Sequence, residues 1–210
     1  MGEGRDIYRE PATRVLLRTA DVYQTEVDDG VVGYSDKLLS VVADYRNGGA
    51  PEGTNAQSMV GKSKRGEVAF RLFARINPQT RVIEAAGFKT RGCLAMTACA
   101  SVACSMVEGR TLDEALQITT EDIRAAVDGV PAGKANTLTF AVEAIRAVVG
   151  DFLVREGIGL AALDVAVPCD GYSVSCLMCE HCSLRDIRTD LLMAEWDDED
   201  EPAAEAAGAA

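Results

Sequence analysis

Four cysteines crowd the C-terminal part of the chain as Cys169-x6-Cys176-x2-Cys179-x2-Cys182, and the only histidine, His181, adjoins the last of them. Thiolates are soft ligands that suit iron and zinc. Cysteines three residues apart let one turn of chain aim several sulfurs at a single point, the spacing of iron–sulfur and zinc sites. Pro168 and Gly171 allow the bends this needs. The expectation is a metal or cluster held by Cys169, Cys176, Cys179 and Cys182, with His181 either replacing one ligand or standing by as a neighbour. Two other readings of the same sulfurs are a structural zinc knuckle and exposed or redox-active thiols.

The remaining three cysteines lie in "RGCLAMTACASVACSMV", residues 91–107. The segment from Leu94 to Val107 is apolar nearly all round, which predicts a buried helix. Cys99 and Cys104 sit inside it and are expected to pack as small hydrophobes. Cys93 stands at the mouth, where a strand gives way to the helix. By position alone it is open between core packing and function.

The elements that must position these residues follow from period and punctuation. "YSDKLLSVVADYRNGG" predicts a helix capped by Ser35 and stopped by Asn47-Gly48-Gly49. "APEGTNAQSMVGKSKRG" reads as a loop. In "EVAFRLFARI", Val68, Phe70, Leu72 and Ala74 alternate with Arg71 and Arg75, as in a half-buried antiparallel strand. After the turn "NPQT", "RVIEAAGFKTRGC" supplies further strand, with a break or bulge expected at Gly87. "TLDE", Thr111–Glu114, is a capping box, and "TTEDIRAAV" opens another short helix. "TLTFAVEAIRAVVGDFLVREG" is a long amphipathic helix with Phe140, Ile145, Val148, Val149 and Phe152 facing inward. A weaker helix is expected from about Ala12. Strands gathered together and then helices make an α+β fold, with helices on one face of an antiparallel sheet.

Bulk properties narrow the partners. The 210 residues carry a net charge of −12, which argues against a general nucleic-acid binder. Six of the acids fall in "EWDDEDE", Glu195–Glu201, a solubilising tail. The first residues show no secretory h-region, and no stretch is long and apolar enough to span a membrane. The expected compartment is the cytoplasm, where seven cysteines stay reduced and are better read as buried thiols or ligands than as a disulfide framework.

From about Tyr34 to Phe152 the sequence resembles the IscU/NifU N-terminal family of iron–sulfur cluster assembly scaffolds. "YSDKLLSVVADYRNGG" is similar to the family's opening helix, "GEVAFRLFARINPQTRVIEAAGFKTRGC" to its sheet and the F-K-T-x-G-C that ends it, "SMVEGRTLDEALQITTEDI" to its G-K-[ST]-x-[DE]-E-A segment, and "VEAIRAVVGDF" to its last helix. The resemblance implies a three-stranded antiparallel sheet with helices packed on one face, and a scaffold, not an enzyme. Such a scaffold takes sulfur from a cysteine desulfurase, builds a cluster and passes it to client apo-proteins. It also implies where ligands belong. Cys93 matches one family cysteine, as a ligand or a sulfur acceptor. The family's C-G-D falls on Arg65-Gly66-Glu67, leaving Glu67 as the acid, either a ligand or a solvated neighbour of Arg65. The family's H-C pair falls on Asn136-Thr137, and its chaperone-binding P-P-V-K on Pro131-Ala132-Gly133-Lys134. One thiolate and one carboxylate cannot hold a cluster. The expected cofactor is therefore an iron–sulfur cluster, with zinc as the alternative, held chiefly by the C-terminal cysteines, with Cys93 either joining them in one site or standing as a separate one. The expected organisation is an N-terminal extension (1–32), the scaffold domain (33–157), a Cys-rich extension (158–194) and an acidic, Ala-rich disordered tail (195–210). The rival functions are a binding module of the same fold with a structural zinc site, and a persulfide relay.

Overall fold

The computed structural model describes residues 33–62, 68–168 and 182–207, with side chains through Trp196 in the last stretch. Three strands, β1 (Ala56–Lys62), β2 (Val68–Ile76) and β3 (Ile83–Thr90), form an antiparallel sheet in the order β1-β2-β3. The described helices are α1 (Asp36–Ala43), α2 (Leu94–Val107), α3 (Leu112–Leu116), α4 (Thr120–Val127), α5 (Asn136–Arg155), α6 (Leu160–Ala166) and α7 (Ser183–Ala207). This is the expected α+β architecture.

The caps sit where the sequence placed them. The Ser35 hydroxyl accepts from Leu38 N at 3.1 Å and donates to the carbonyl of Val127 at 2.7 Å, so one side chain both starts α1 and binds it to α4. Thr111 and Glu114 complete their capping box, and Thr119 and Asp122 form a second one. These bonds satisfy amides that have no partner inside the helix.

The strand that the sequence hides is β1. "AQSMVGK" reads as loop because Gly and Ser interrupt it, yet Ala56, Ser58 and Val60 alternate into the core and pair against Ala74, Leu72 and Phe70. Its outer edge is covered rather than left open: Asp151 of α5 accepts from Gln57 N at 2.8 Å, and Ser183 of α7 accepts from Met59 N at 3.0 Å. A covered edge keeps its hydrogen bonds without high strand propensity. Gly61 takes φ +71°, and a Cβ there would lie 2.7 Å from the Phe140 ring, so the glycine lets α5 lie directly on the strand.

Gly87 is not a break. It lies within β3 opposite Phe73, and the irregularity falls at Arg75/Ile76 instead. A Cβ at Gly87 would stand 2.2 Å from the Gly49 carbonyl, so this glycine serves the close approach of the 47–51 loop.

Helix α2 is buried almost throughout, against β3 on one side and α5 on the other. Helix α5 runs antiparallel to β1, with Phe140 over Gly61 and Asp151 beside Gln57. Eleven residues of helix span about 16 Å and four of strand about 13 Å, so the two contacts agree. Helix α7 continues to Ala207, across the boundary that the sequence sets at Glu195. Ala and Glu are strong helix formers, which suits the run.

Candidate functional site

Cys93 is the N-cap of α2, in extended conformation, and its side chain makes no capping bond. Its carbonyl accepts from Thr97 N at 3.1 Å and so closes the first turn of the helix. The side chain is half-buried and touches both the main core and a smaller cluster of Leu38, Leu94, Ala95, Ala98 and Val127. Tyr34 packs against that cluster too, with its phenol near enough to the Cys93 thiol for each to influence the other. Burial, reinforced by Cys93, pushes the Tyr34 phenol up to about 12, so it is a neutral hydrogen-bonding group at ordinary pH. Nothing in composition singled out Tyr34; its place just before the Ser35 cap was the only signal.

The other described positions that the resemblance pairs with family ligands are Asn136 and Thr137, in the first turn of α5. Thr137 is buried, donates to the Lys134 carbonyl at 2.8 Å, and lies 3.6 Å from the sulfur of Cys99. Cys99 and Cys104 are fully buried, as the apolar helix predicted. Burial pushes the Cys99 thiol up to about 11, and Cys104 still further in the same direction.

Cys182 is buried in the fold. It forms a bridge with Val60 on β1, and its carbonyl accepts the first amides of α7, from Arg185 at 3.1 Å and Asp186 at 3.3 Å. Val60 pairs with Phe70, and Phe70 with Thr90. Cys182, Val60, Phe70 and Thr90 thus form one row across the sheet. Three strand spacings put Cys182 on the order of 14 Å from Thr90, three residues before Cys93. The two cysteines belong to opposite edges.

Cys169, Cys176, Cys179, His181 and Glu67 lie outside the described residues, as does the segment from Ala12. Their flanks are placed. Pro168 borders an open cavity of about 290 Å³ with Asp113, Gln117, Arg146 and Val167. Among the described residues, no three Cys, His, Asp or Glu side chains are close enough to hold a metal. None of the described helices is long and apolar enough to cross a membrane.

The comparisons with known proteins bear on the body of the chain. The model of the NifU-like N terminal domain matches residues 33–158. The chain is 35% identical over 123 residues to the nitrogen fixation protein NifU of Azotobacter chroococcum, covering 59% of this chain and 40% of that protein, so it spans less than half of that relative's length. It is 31% identical over 124 residues to the iron-sulfur cluster assembly scaffold protein IscU of Aquifex aeolicus, covering 59% of this chain and 78% of that one. The IscU of Azotobacter vinelandii is 35% identical over 130 residues and covered to 99% of its length, against 60% of this chain. The solved NifU-like N-terminal structure from Brucella abortus aligns over 63% of this chain and 99% of its own, with a TM-score of 0.47 and 16% identity. A family match over residues 33–158 coincides with the sheet and helices α1 to α5, and the chain belongs to the NifU-like N-terminal domain family.

Proposed function

We propose that this protein is a scaffold for iron–sulfur cluster assembly whose cluster, its cargo, is held by the C-terminal cysteines Cys169, Cys176, Cys179 and Cys182. His181 is a candidate replacement for one of these thiolates, and Glu67 a candidate oxygen donor beside the family site. A cysteine desulfurase supplies the sulfur, and client apo-proteins take the finished cluster. The family membership and the relatives named as cluster assembly scaffolds support the assembly role. The observation that carries the tail reading is the seat of Cys182 against β1, two residues short of the strand's end at Lys62. The family's cysteine and acid positions, here Arg65 and Glu67, follow directly from that end. Cys179 is three residues from Cys182 and Cys176 six, which is at most about 10 Å and 20 Å of extended chain. The tail sulfurs therefore start from beside the strand that leads into the old ligand segment. Cys93, half-buried near Tyr34, fits a separate role as sulfur acceptor, since its helix begins beyond the other side of the sheet.

Anaerobic reconstitution with ferrous iron and sulfide, followed by iron and sulfide analysis, tests this. The Cys176/Cys179/Cys182 triple Ser variant is expected to lose most of its iron, and the Cys93→Ser variant to retain it. Equal iron in the triple variant and the wild type would sink the tail site. A zinc reading has one observation in its favour. Cys182 is sealed into the fold, as ligands of closed structural sites are, whereas a donor of clusters needs ligands that let go. Stoichiometric zinc without colour or sulfide in the purified protein would select that reading.

A further inference from the structure

Beyond Leu191, helix α7 leaves the body of the protein. Its first part is seated, with Leu184 buried and Ile187 and Leu191 packed against the main core. Residues 192–196 are all exposed, and five in succession exceed the roughly 3.6 of one turn, so solvent surrounds the helix there. This free turn is nonetheless apolar on one face. Leu192 is 37% exposed, Met193 49% and Trp196, the sole tryptophan, 54%. Leu192 and Trp196 stand four positions apart and Met193 and Trp196 three, so the three side chains are neighbours. A free helix holds its shape as well with alanine or glutamate at such positions. Tryptophan and methionine exposed together are instead the composition of an interface core.

Charge decides what fits. Asp190 and Glu195 flank the three and are exposed. The sequence of the same helix continues with Asp197, Asp198, Glu199, Asp200 and Glu201, and residues 189–207 contain no Lys or Arg. A second copy of this chain would bring the same acids against them, and an anionic lipid surface would be repelled as well. A helix of another protein with apolar side chains bordered by Lys and Arg meets both the ridge and its charge. We propose that the Leu192, Met193 and Trp196 face of α7 docks such a basic amphipathic helix. The surface lies past residue 158, where the family match ends, so it adds a binding face to the family domain. It is independent of what the cysteines hold.

Trp196 is its own reporter. The full chain is titrated with a synthetic helical peptide of leucine and lysine, free of tryptophan, and the Trp196 emission is followed. A saturable blue shift is expected as the indole leaves water. Leu192→Ser/Met193→Ser removes the apolar part at exposed positions and is expected to keep the wild-type far-ultraviolet circular dichroism while weakening binding roughly tenfold or more. Asp190→Asn/Glu195→Gln and added salt are each expected to weaken it too. A leucine–glutamate peptide is expected to cause no shift. An unmoved Trp196 emission with the leucine–lysine peptide overturns the proposal. So does wild-type affinity in the double Ser variant, because charge alone would then attract the peptide. A blue shift with phosphatidylglycerol vesicles, or a dimer in sedimentation that the double Ser variant abolishes, would replace the partner helix with a lipid surface or a second copy.

Discussion

Cys93 and Cys99 are six positions apart, and their surroundings differ completely. Cys99 is sealed between α2 and α5 beside Thr137, whereas Cys93 is half-buried beside Tyr34. Under native conditions at mildly alkaline pH, iodoacetamide is expected to modify Cys93 and spare Cys99 and Cys104, with peptide mass spectrometry as the readout; labelling of Cys99 at the rate of Cys93 would contradict the burial. Protonation gives a second prediction. The Cys99 thiol stands near 11 in the fold against an ordinary 9.0. In the unfolded chain it releases its proton first, so rising pH favours unfolding. The stabilisation is complete below about pH 9 and is lost as pH climbs through about 11. Urea unfolding is expected to show a decline over that window, and a shallower one in Cys99→Ala. Coincident curves would mean Cys99 contributes nothing.

At the level of elements, β1 depends on neighbours more than on its own residues. Asp151 joins it to α5, accepting from Gln57 N and from Arg155 Nε, both at 2.8 Å. Asp151→Ala leaves an edge amide without its charged acceptor. The expected cost is about 1–3 kcal/mol by chemical denaturation; a change below a few tenths would show that water replaces the carboxylate. Gly61→Ala pushes a methyl toward the Phe140 ring at a left-handed backbone position. A loss of about 1–3 kcal/mol is expected, and pairing it with Phe140→Leu should return part of it.

For the molecule as a whole, the C-terminal part is an edge cover as well as a carrier of thiols. Leu184 is buried against Gly150 and Leu163, and Ser183 meets β1. A chain ending at Pro168 is expected to keep its body fold, bind little iron, and dimerise with concentration through the uncovered β1 edge, as analytical ultracentrifugation would reveal. A monomer at all concentrations would show that α7 does not guard that edge. Much of this architecture is legible in the residues. Period 3.6 in α5, alternation in β2, and the paired Thr–acid caps are local signals, and local chemistry writes them. The apolar wrap of α2 likewise announced that Cys99 and Cys104 pack. The strand β1 was not legible, because its stability comes from Asp151, Ser183 and the Phe140 ring, all far along the chain. The role of Gly87 was equally hidden: only the fold brings the Gly49 carbonyl to it. Spacing identified the tail cysteines as a group and Cys93 as a lone thiol at a helix mouth. That Cys182 lies against the β1 edge while Cys93 lies beyond β3 near Tyr34 is decided by contacts between distant segments, and sequence spacing carries no information about those.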